Sequence, residues 1–511
     1  MHAPDPNYKI PTCKEWVPEP LRFWLYIAFV LSFQFSGAVY MALASQRAGA
    51  QGILREDVMM SGNAMLVGMT MVFPILFQLK FSFAGKNTLL FCSLGLVACN
   101  LITLYARSMA ILVPVCFFAG GIRMLGTFEC FSTIQLKITP TRDFAKFFPV
   151  IYMIILGMVQ FSGMMAGRIA NRFQWEAMHV LVIGSLLCVA LGTRIFLRYV
   201  RLPAPFPMGK IDWLGGALWA LLLLQIAFVL NYGEHFEWFD GHIICGVTVT
   251  SLVTLLVIVW RSHYIVQPYI EFHAFRHRNV LTSLGLFAAL CLLLAAPEVL
   301  QRSYTSGVLH YGSLETFWLN GPVLAGIVFG AVLCYVGFAK FEVGYRGMTI
   351  LGFLMVLGYL IGMYLVVSPA TTREAMIAPL FLRGAGNVMI FVVLTTYAAR
   401  TVPMHHFFQV LCIMGFVHTD LGDPLGGAVV ERMLAICMRK SIQSLGTVID
   451  GQDTFAAALP FENVVSEFQR QVLLVSVKEG FGILILFSIL VLCISAATRY
   501  RKAIRLKMPR W

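Results

Sequence analysis

The chain has 511 residues, of which 59% are hydrophobic and only 12% are charged. Soluble domains carry roughly 25% charged residues, so this composition excludes a soluble globular protein. The net charge of +13 does not indicate nucleic-acid binding, because the Lys and Arg residues are scattered over short connections. The 12 Cys residues form no C-x-x-C pair and no Cys/His cluster with the spacing of a zinc site, so a disulfide framework and a metal site are not expected, and no cofactor is expected.

Hydrophobic runs long enough to cross a bilayer recur along the whole chain. Windows of roughly 19 residues predict fourteen spans. Their bounds lie near 22–44, 58–79, 88–106, 110–135, 147–170, 178–199, 212–231, 241–260, 279–300, 316–339, 347–368, 375–398, 406–436 and 472–498. The polar segment 1–21 lacks a signal-peptide pattern, so span 1 is expected to be kept.

The distribution of charge predicts the orientation of these spans. An even number of spans places both termini on one side, and the basic tail 499–511 makes that side the cytoplasm by the positive-inside rule. The longest connection, 437–471, is acidic and is therefore expected to face the periplasm. Lys478 and Glu479 are expected near the outer end of span 14, where their charged groups can reach the interface.

An internal repeat appears when the chain is shifted against itself by 260 positions. The matched pairs are Lys80 with Lys340, Lys86 with Arg346, Arg123 with Arg383, Gly126 with Gly386, Phe147-Phe148 with Phe407-Phe408, and Gly167 with Gly427. One ungapped offset thus aligns spans 2 to 5 with spans 10 to 13 and leaves spans 7 and 8 between them.

The repeat predicts an all-α polytopic membrane protein with two six-helix halves, 22–200 and 279–498, and an inserted helix pair at 211–262. Two parallel repeats related by an axis along the membrane normal resemble the major facilitator fold, in which the substrate lies between the halves.

The inserted segment carries a more specific resemblance. The stretch from Ile211 to Gly216, the acidic loop with Trp238-Phe239, and the linker from Pro268 to Asn279 are similar to the extra helix pair of the fourteen-span drug:proton antiporters of the multidrug-resistance protein B type. This resemblance implies proton-coupled efflux of hydrophobic or amphipathic small molecules across the bacterial inner membrane. It also implies a periplasmic adaptor and an outer-membrane channel as partners.

Other signatures of that family are altered here. The bend motif of span 5 reads Ser162 to Gly167, which keeps Gly163 and Gly167 but lacks proline. The loop between spans 2 and 3, Phe77 to Lys86, lacks the family's acidic residue, and span 1 offers Gln34 where many relatives have an acid. The chain therefore resembles a divergent member.

Ionisable side chains inside spans are the candidates for proton coupling, because they are costly to bury. Glu129 in span 4 is a candidate proton carrier or one partner of a structural ion pair with another helix. Arg123 lies six residues before Glu129, off the same helical face. Arg123, Arg383 and Gln34 are candidates to line the cavity or to pair with charges, and Gly126 is a packing position.

Span 13 contains the densest polar group. His418, Asp420 and Asp423 lie within two helical turns, just before Pro424, Gly426 and Gly427, which predict a bend. The acids are candidate proton sites and His418 a candidate relay. Alternatively, Asp423 only satisfies backbone donors freed by Pro424.

Several other functions stay open at this stage. The chain could export or import a specific endogenous metabolite, or act as a sensor or scaffold without transport. Since His418 and Asp423 have the H-x-x-x-x-D spacing of some acyltransferases, a membrane-embedded enzyme is a remote alternative. The favoured interpretation is a secondary transporter rather than an enzyme, with a small molecule, protons and the bilayer as its partners.

Overall fold

The computed structural model describes residues 12–41, 44–139, 143–200, 211–265, 267–271, 278–341, 343–401, 407–447, 461–498 and 500. The expected N-terminal segment up to residue 11 and nearly all of the basic tail lie outside the described residues, as does the centre of the long connection.

The described residues are overwhelmingly helical. They contain no β-strand, and the one β-bridge among them joins Cys13 and Leu197. The helices are α1 Glu19–Phe35, α2 Ala38–Met41, α3 Ala44–Gln51, α4 Arg55–Met71, α5 Leu76–Ser82, α6 Gly85–Tyr105, α7 Met109–Ile138, α8 Phe144–Arg172, α9 Glu176–Phe196, α10 Trp213–Tyr232, α11 His242–Tyr264, α12 Arg278–Ala296, α13 Arg302–Gly307, α14 Ser313–Trp318, α15 Asn320–Ala339, α16 Tyr345–Val366, α17 Arg373–Thr401, α18 Phe407–Gly415, α19 Asp423–Gly446 and α20 Phe461–Ala497. Two π-helical segments, Pro297–Gln301 and Phe416–Gly422, join α12 to α13 and α18 to α19.

Within the described residues, 12 helices are long and apolar enough to cross a membrane, whereas the sequence predicts fourteen spans. The two remaining spans are helical but interrupted. Helix α1 has 17 residues, short of the roughly 20 that a bilayer requires. Span 13 is divided into α18, a π-helical segment and α19, and α19 carries several charged residues. The chain is a multi-pass membrane protein.

The expected loop 437–471 is largely helical at both ends. Helix α19 continues to Gly446, and α20 already begins at Phe461 and runs without a break into the last span. Hydropathy windows miss these extensions because both are polar, although their backbone remains helical. As a result Lys478 and Glu479 lie near the middle of α20 rather than near its outer end, and Glu479 pairs with Lys440 at 2.8 Å.

The helices divide into two compact units. The N-terminal unit contains the described residues up to Leu284 together with Thr395–Leu421, and the C-terminal unit contains Gly285–Leu394 and Gly422–Tyr500. The repeat pairs α4 with α15 and α7 with α17, and each unit uses glycine where these helices cross.

A Cβ atom at Gly120 would overlap the carbonyl oxygen of Met65 in α4. In the C-terminal unit, a Cβ atom at Gly384 would overlap the carbonyl oxygen of Val323 in α15. Small residues let helix backbones approach closely, which is a main source of helix association in membranes.

The helix pair α10 and α11 packs on the N-terminal unit. Tyr232, Ala227 and Ile244 form a buried cluster with Met60 of α4. The Tyr232 hydroxyl donates a hydrogen bond to Asp57 at the start of α4. At the other end of the pair, Asp212 caps α10 and binds Arg261 of α11.

Candidate functional site

Arg123 and Gln34 meet in the interior of the N-terminal unit. Arg123 donates hydrogen bonds from Nη2 to the Gln34 side-chain oxygen at 2.6 Å and to its backbone oxygen at 3.2 Å. The Gln34 amide in turn donates to the Thr127 hydroxyl at 3.0 Å. Both side chains are buried, at 7% and 4% exposure. Gln34 therefore supplies neutral acceptors for Arg123.

Glu129 does not approach Arg123. Its carboxylate lies 3.5 Å from Nζ of Lys80, on the segment that follows span 2, and both side chains are largely buried. A Cβ atom at Gly85 would lie 2.5 Å from the Glu129 carboxylate, so glycine makes room for it. A carboxylate balanced by lysine needs no proton for neutrality, and this geometry favours the ion-pair alternative for Glu129.

Asp420 lies on the π-helical segment between α18 and α19 and is 3% exposed. It accepts a hydrogen bond from the Thr70 hydroxyl of α4 at 3.4 Å. The Cys412 thiol donates to the Thr70 carbonyl oxygen, and Gly415 leaves room for the Thr70 methyl group. π-Helical turns are rare and occur often at functional sites. His418 occupies the same turn.

A cluster of aromatic side chains packs α18 against α5, α7 and α8. Phe408 contacts Phe77 at 4.3 Å and Phe128 at 5.6 Å between ring centroids, and Phe407 stacks on Phe144 at 4.8 Å. Phe407-Phe408 is the repeat partner of Phe147-Phe148, and Phe148 lies 6.5 Å from Phe407. The repeated Phe pairs thus contact each other.

In the C-terminal unit Arg383 is also bound to a glutamine. Its Nη1 donates to the Gln301 side-chain oxygen at 3.4 Å, and the same oxygen accepts from the Tyr359 hydroxyl at 3.3 Å. Arg383 also forms a side-chain hydrogen bond with Tyr359. Gln301 ends the π-helical segment that begins at Pro297. Proline lacks an N–H and cannot complete regular helical hydrogen bonding, which explains an altered turn at this place.

Glu298 is an electrostatic neighbour of Arg383 and has further charged groups around it. Glu298, on the same π-helical segment as Gln301, has Asp423 and Arg383 among its electrostatic neighbours, and the others are Arg302 and Glu431. Asp423 accepts a hydrogen bond from the Cys291 thiol of α12. We call Glu298, Arg302, Arg383, Asp423 and Glu431 the acidic cluster. Glu298 thus has two further carboxyl groups and two guanidinium groups around it, so one negative charge is left when all five groups are ionised.

Glu298 and Gln301 are functional candidates that the sequence analysis missed. They fall at the predicted end of span 9, but the helical segment continues to Gly307. The spacing of Glu298 and Arg302, four residues apart behind a proline, is a signal of a helical charge pair that could have identified them.

The predicted packing positions take different roles. A Cβ atom at Gly126 would lie 2.8 Å from the Phe33 ring, and one at Gly426 would lie 2.9 Å from the Cys291 carbonyl oxygen, whereas Gly427 faces open space. Pro424 lies in the first turn of α19. Gly163 and Gly167 lie inside α8, which runs unbroken from Phe144 to Arg172.

No protein-family profile matches the sequence, and no curated protein matches it. Solved structures do match the fold. One is an auto-inhibited POT family peptide transporter, which is 16% identical, with 96% of this chain and 99% of that chain covered and a TM-score of 0.56. A structure of proton-dependent oligopeptide transporters is 13% identical, covering 93% and 98%, with a TM-score of 0.59. The nucleoside transporter NupG is 10% identical, covering 93% and 99%, with a TM-score of 0.54. The chain therefore has the major facilitator fold that these transporters share.

Proposed function

We propose that this protein is a secondary transporter of small organic molecules, driven by protons that bind at Glu298. The observation that carries the proposal is the excess of one carboxyl group in the acidic cluster. Binding one proton balances that charge, and releasing it restores a net negative charge. Because ionisable groups in a span are costly, such a group is a functional candidate by default.

Proton binding at Glu298 can bias two arrangements of Arg383. With Glu298 neutral, Arg383 keeps its neutral acceptors, Gln301 and Tyr359. With Glu298 ionised, the guanidinium gains a nearby anion and is drawn towards it. Glu298 and Gln301 lie on the π-helical segment while Arg383 lies on α17, so the exchange changes the contact between two helices. A proton that favours one of two states in this way is what coupling requires.

Two observations bear on the direction of transport and on the class of substrate. The resemblance of the inserted pair and linker supports export of hydrophobic or amphipathic compounds across a bacterial inner membrane, with both termini cytoplasmic and a periplasmic adaptor and outer-membrane channel as partners. The matching solved structures include peptide and nucleoside transporters, which favours uptake of a polar metabolite as the second candidate. In both cases the protein is a transporter rather than an enzyme.

Purified protein in liposomes with an imposed pH gradient tests the proposal. Ethidium export and dipeptide uptake would be measured as the two probes. Glu298→Gln should abolish gradient-driven movement of whichever probe the wild type transports. Glu374→Gln, an exposed change in the same unit, should leave it unchanged and serves as the matched control. Full gradient-driven transport by Glu298→Gln would overturn the proton site, and absence of gradient-driven movement across a wider substrate panel would overturn proton coupling.

The sequence-derived candidates provide further variants for this assay. Glu129→Gln should retain gradient-driven transport, because the carboxylate is paired with Lys80. Asp420→Asn should lower the rate without removing the pH dependence, since Asp420 is engaged with Thr70 in the other unit. If Glu129→Gln or Asp420→Asn alone removed the pH dependence, that residue would replace Glu298 as the proton site.

A further inference from the structure

The segment that carries Glu298 and Gln301 is continuous with the short helix that follows it. Residues Pro297–Gln301 are π-helical, and α13, Arg302–Gly307, continues from them without a break. A π-helical turn that starts at a proline lacks part of the regular helical hydrogen bonding, so it holds its own geometry less firmly than an α-helix does. The contacts of α13 therefore contribute to where Glu298 and Gln301 lie.

Helix α20 packs along this whole stretch. A Cβ atom at Gly480 of α20 would lie 3.0 Å from the Leu300 side chain, which is fully buried in the π-helical segment. A Cβ atom at Gly307 of α13 would overlap the Leu473 side chain of α20. One glycine on each side thus lets the segment and α13 approach α20 closely. The last helix of the chain is the surface against which the proton-site segment packs.

Arg470 of α20 binds the end of α13. Its Nε donates a hydrogen bond to the Val308 carbonyl oxygen at 3.2 Å, and its Nη2 donates to the Pro369 carbonyl oxygen at 2.9 Å. Val308 directly follows α13, where carbonyl groups lack an intrahelical partner, and Pro369 lies in the turn between α16 and α17. A guanidinium can reach two acceptors at once because its donors are fixed in a planar fork. One side chain thus joins α20, α13 and the α16–α17 turn.

Tyr304 of α13 reaches the same turn. Its hydroxyl donates to the Ser368 carbonyl oxygen at 2.7 Å and accepts from the Ser368 N–H at 3.1 Å. Tyr304 is fully buried. The end of α13 is therefore attached to the α16–α17 turn at two neighbouring places, and Arg470 also ties it to α20.

We propose that Arg470 is a positioning residue for the proton site, because it fixes the end of α13 and with it the segment that carries Glu298 and Gln301. The inference rests on the proposed proton binding at Glu298 and adds a residue that acts on it through the backbone. The charged neighbours of Glu298 are divided between its own segment, which continues into α13, and two other helices. They are Arg302 on α13, Arg383 on α17, and Asp423 and Glu431 on α19. When the segment is no longer fixed, the distances from Glu298 to the groups on α17 and α19 change, and proton binding changes with them.

Hydrogen–deuterium exchange of the purified full-length protein in detergent tests whether Arg470 holds the segment. In Arg470→Met the backbone amides of residues 298–308 should exchange about tenfold faster, because two hydrogen bonds at the end of α13 are lost. Arg439→Met, a change of an exposed arginine on α19, is the matched control and should leave this exchange unchanged. Arg470→Lys keeps the charge and one donor, so it should fold and show intermediate exchange. Unchanged exchange in Arg470→Met, or in Arg470→Lys if the methionine variant does not fold, would overturn the proposal.

Infrared difference spectroscopy across pH tests the link to the proton. The carboxyl band that Glu298→Gln removes should have its midpoint moved by at least about 0.5 pH units in Arg470→Met, and Arg470→Lys should bring the midpoint back towards the wild type. Glu467→Gln removes only the 3.3 Å ion pair of Arg470 within α20 and should leave the midpoint unchanged.

The two measurements separate the possible failures. Faster exchange with an unchanged midpoint would contradict the positioning role of Arg470 and leave the proton site at Glu298 standing. If Glu298→Gln keeps the wild-type band, the proposed proton site itself fails, and the role of Arg470 fails with it.

Discussion

The two units hold an equivalent arginine in the same way but surround it with different charges. Each binds an arginine to a side-chain glutamine oxygen, Arg123 to Gln34 in one and Arg383 to Gln301 in the other. The N-terminal arginine has no acid among its electrostatic neighbours, while the C-terminal one has Glu298. The two units thus have the same kind of helix packing, but the charged residues around the arginine differ. We infer that a proton balances the second arrangement.

The glycine contacts test whether the packing is shared, and they carry the largest expected effect. Gly120→Ala and Gly384→Ala each place a Cβ atom onto a backbone oxygen of the crossing helix, which cannot move without shifting the whole helix. Both variants should lose most of the folded protein recovered by size-exclusion chromatography.

Gly184→Ala and Gly285→Ala are the matched controls, since a Cβ atom at either position meets nothing within 4 Å. Both controls should be recovered normally, and alanine favours the helix over glycine by up to about 1 kcal/mol. If Gly384→Ala behaved like its control while Gly120→Ala did not, the units would not share this packing.

The arginines test the difference in charge. Arg383→Gln leaves Glu298 without its main neighbouring cation and should lower the free energy of unfolding by about 1 to 2 kcal/mol, a discounted value because Glu298 is exposed and Arg383 is half-buried. Arg123→Gln leaves no acid unpaired and should cost less than about 1 kcal/mol.

Chemical unfolding in detergent measures both changes. The double variant Glu298→Gln/Arg383→Gln should recover much of the stability lost by Arg383→Gln, because the unpaired charge is removed together with its partner. Equal losses for Arg123→Gln and Arg383→Gln would break the comparison.

The inserted pair belongs to the N-terminal unit and offers the smallest effect. Burial favours the neutral form of Asp212, but hydrogen bonds from Arg261 and from the Gly215 N–H outweigh it and hold the pKa of Asp212 below its usual range. A lowered pKa in the folded state means that this contribution is present above the unfolded pKa and is lost as the pH falls through the folded pKa. Asp212→Asn should therefore cost at most about 1 kcal/mol at neutral pH and less in acid, measured by thermal unfolding across pH. A cost that grew on acidification would contradict the pairing.

The sequence predicted much of the fold. Hydropathy located the twelve long apolar helices, although it predicted fourteen spans, and the offset of 260 pairs Arg123 with Arg383, each of which binds a glutamine. These features depend on composition and on repeated local patterns, which a single chain displays directly. Gln34, the main polar residue of span 1, likewise binds Arg123.

The features that the sequence did not predict depend on three-dimensional contacts and on backbone geometry, which hydropathy does not report. Glu298 was missed because it lies two residues from the predicted end of span 9, whereas the backbone continues as a π-helical segment to α13. The pairing of Glu129 with Lys80 needs the three-dimensional approach of α5 to α7. The ends of α19 and α20 are polar, so their helices were read as a loop.

Infrared difference spectroscopy during a pH titration tests the central claim without knowledge of the substrate. A protonated carboxyl group gives a C=O stretching band that disappears when the proton leaves. We expect the wild type and Glu129→Gln to show a titrating band that is absent in Glu298→Gln. An unchanged band in Glu298→Gln, or its loss in Glu129→Gln, would contradict the assignment of the proton to the acidic cluster.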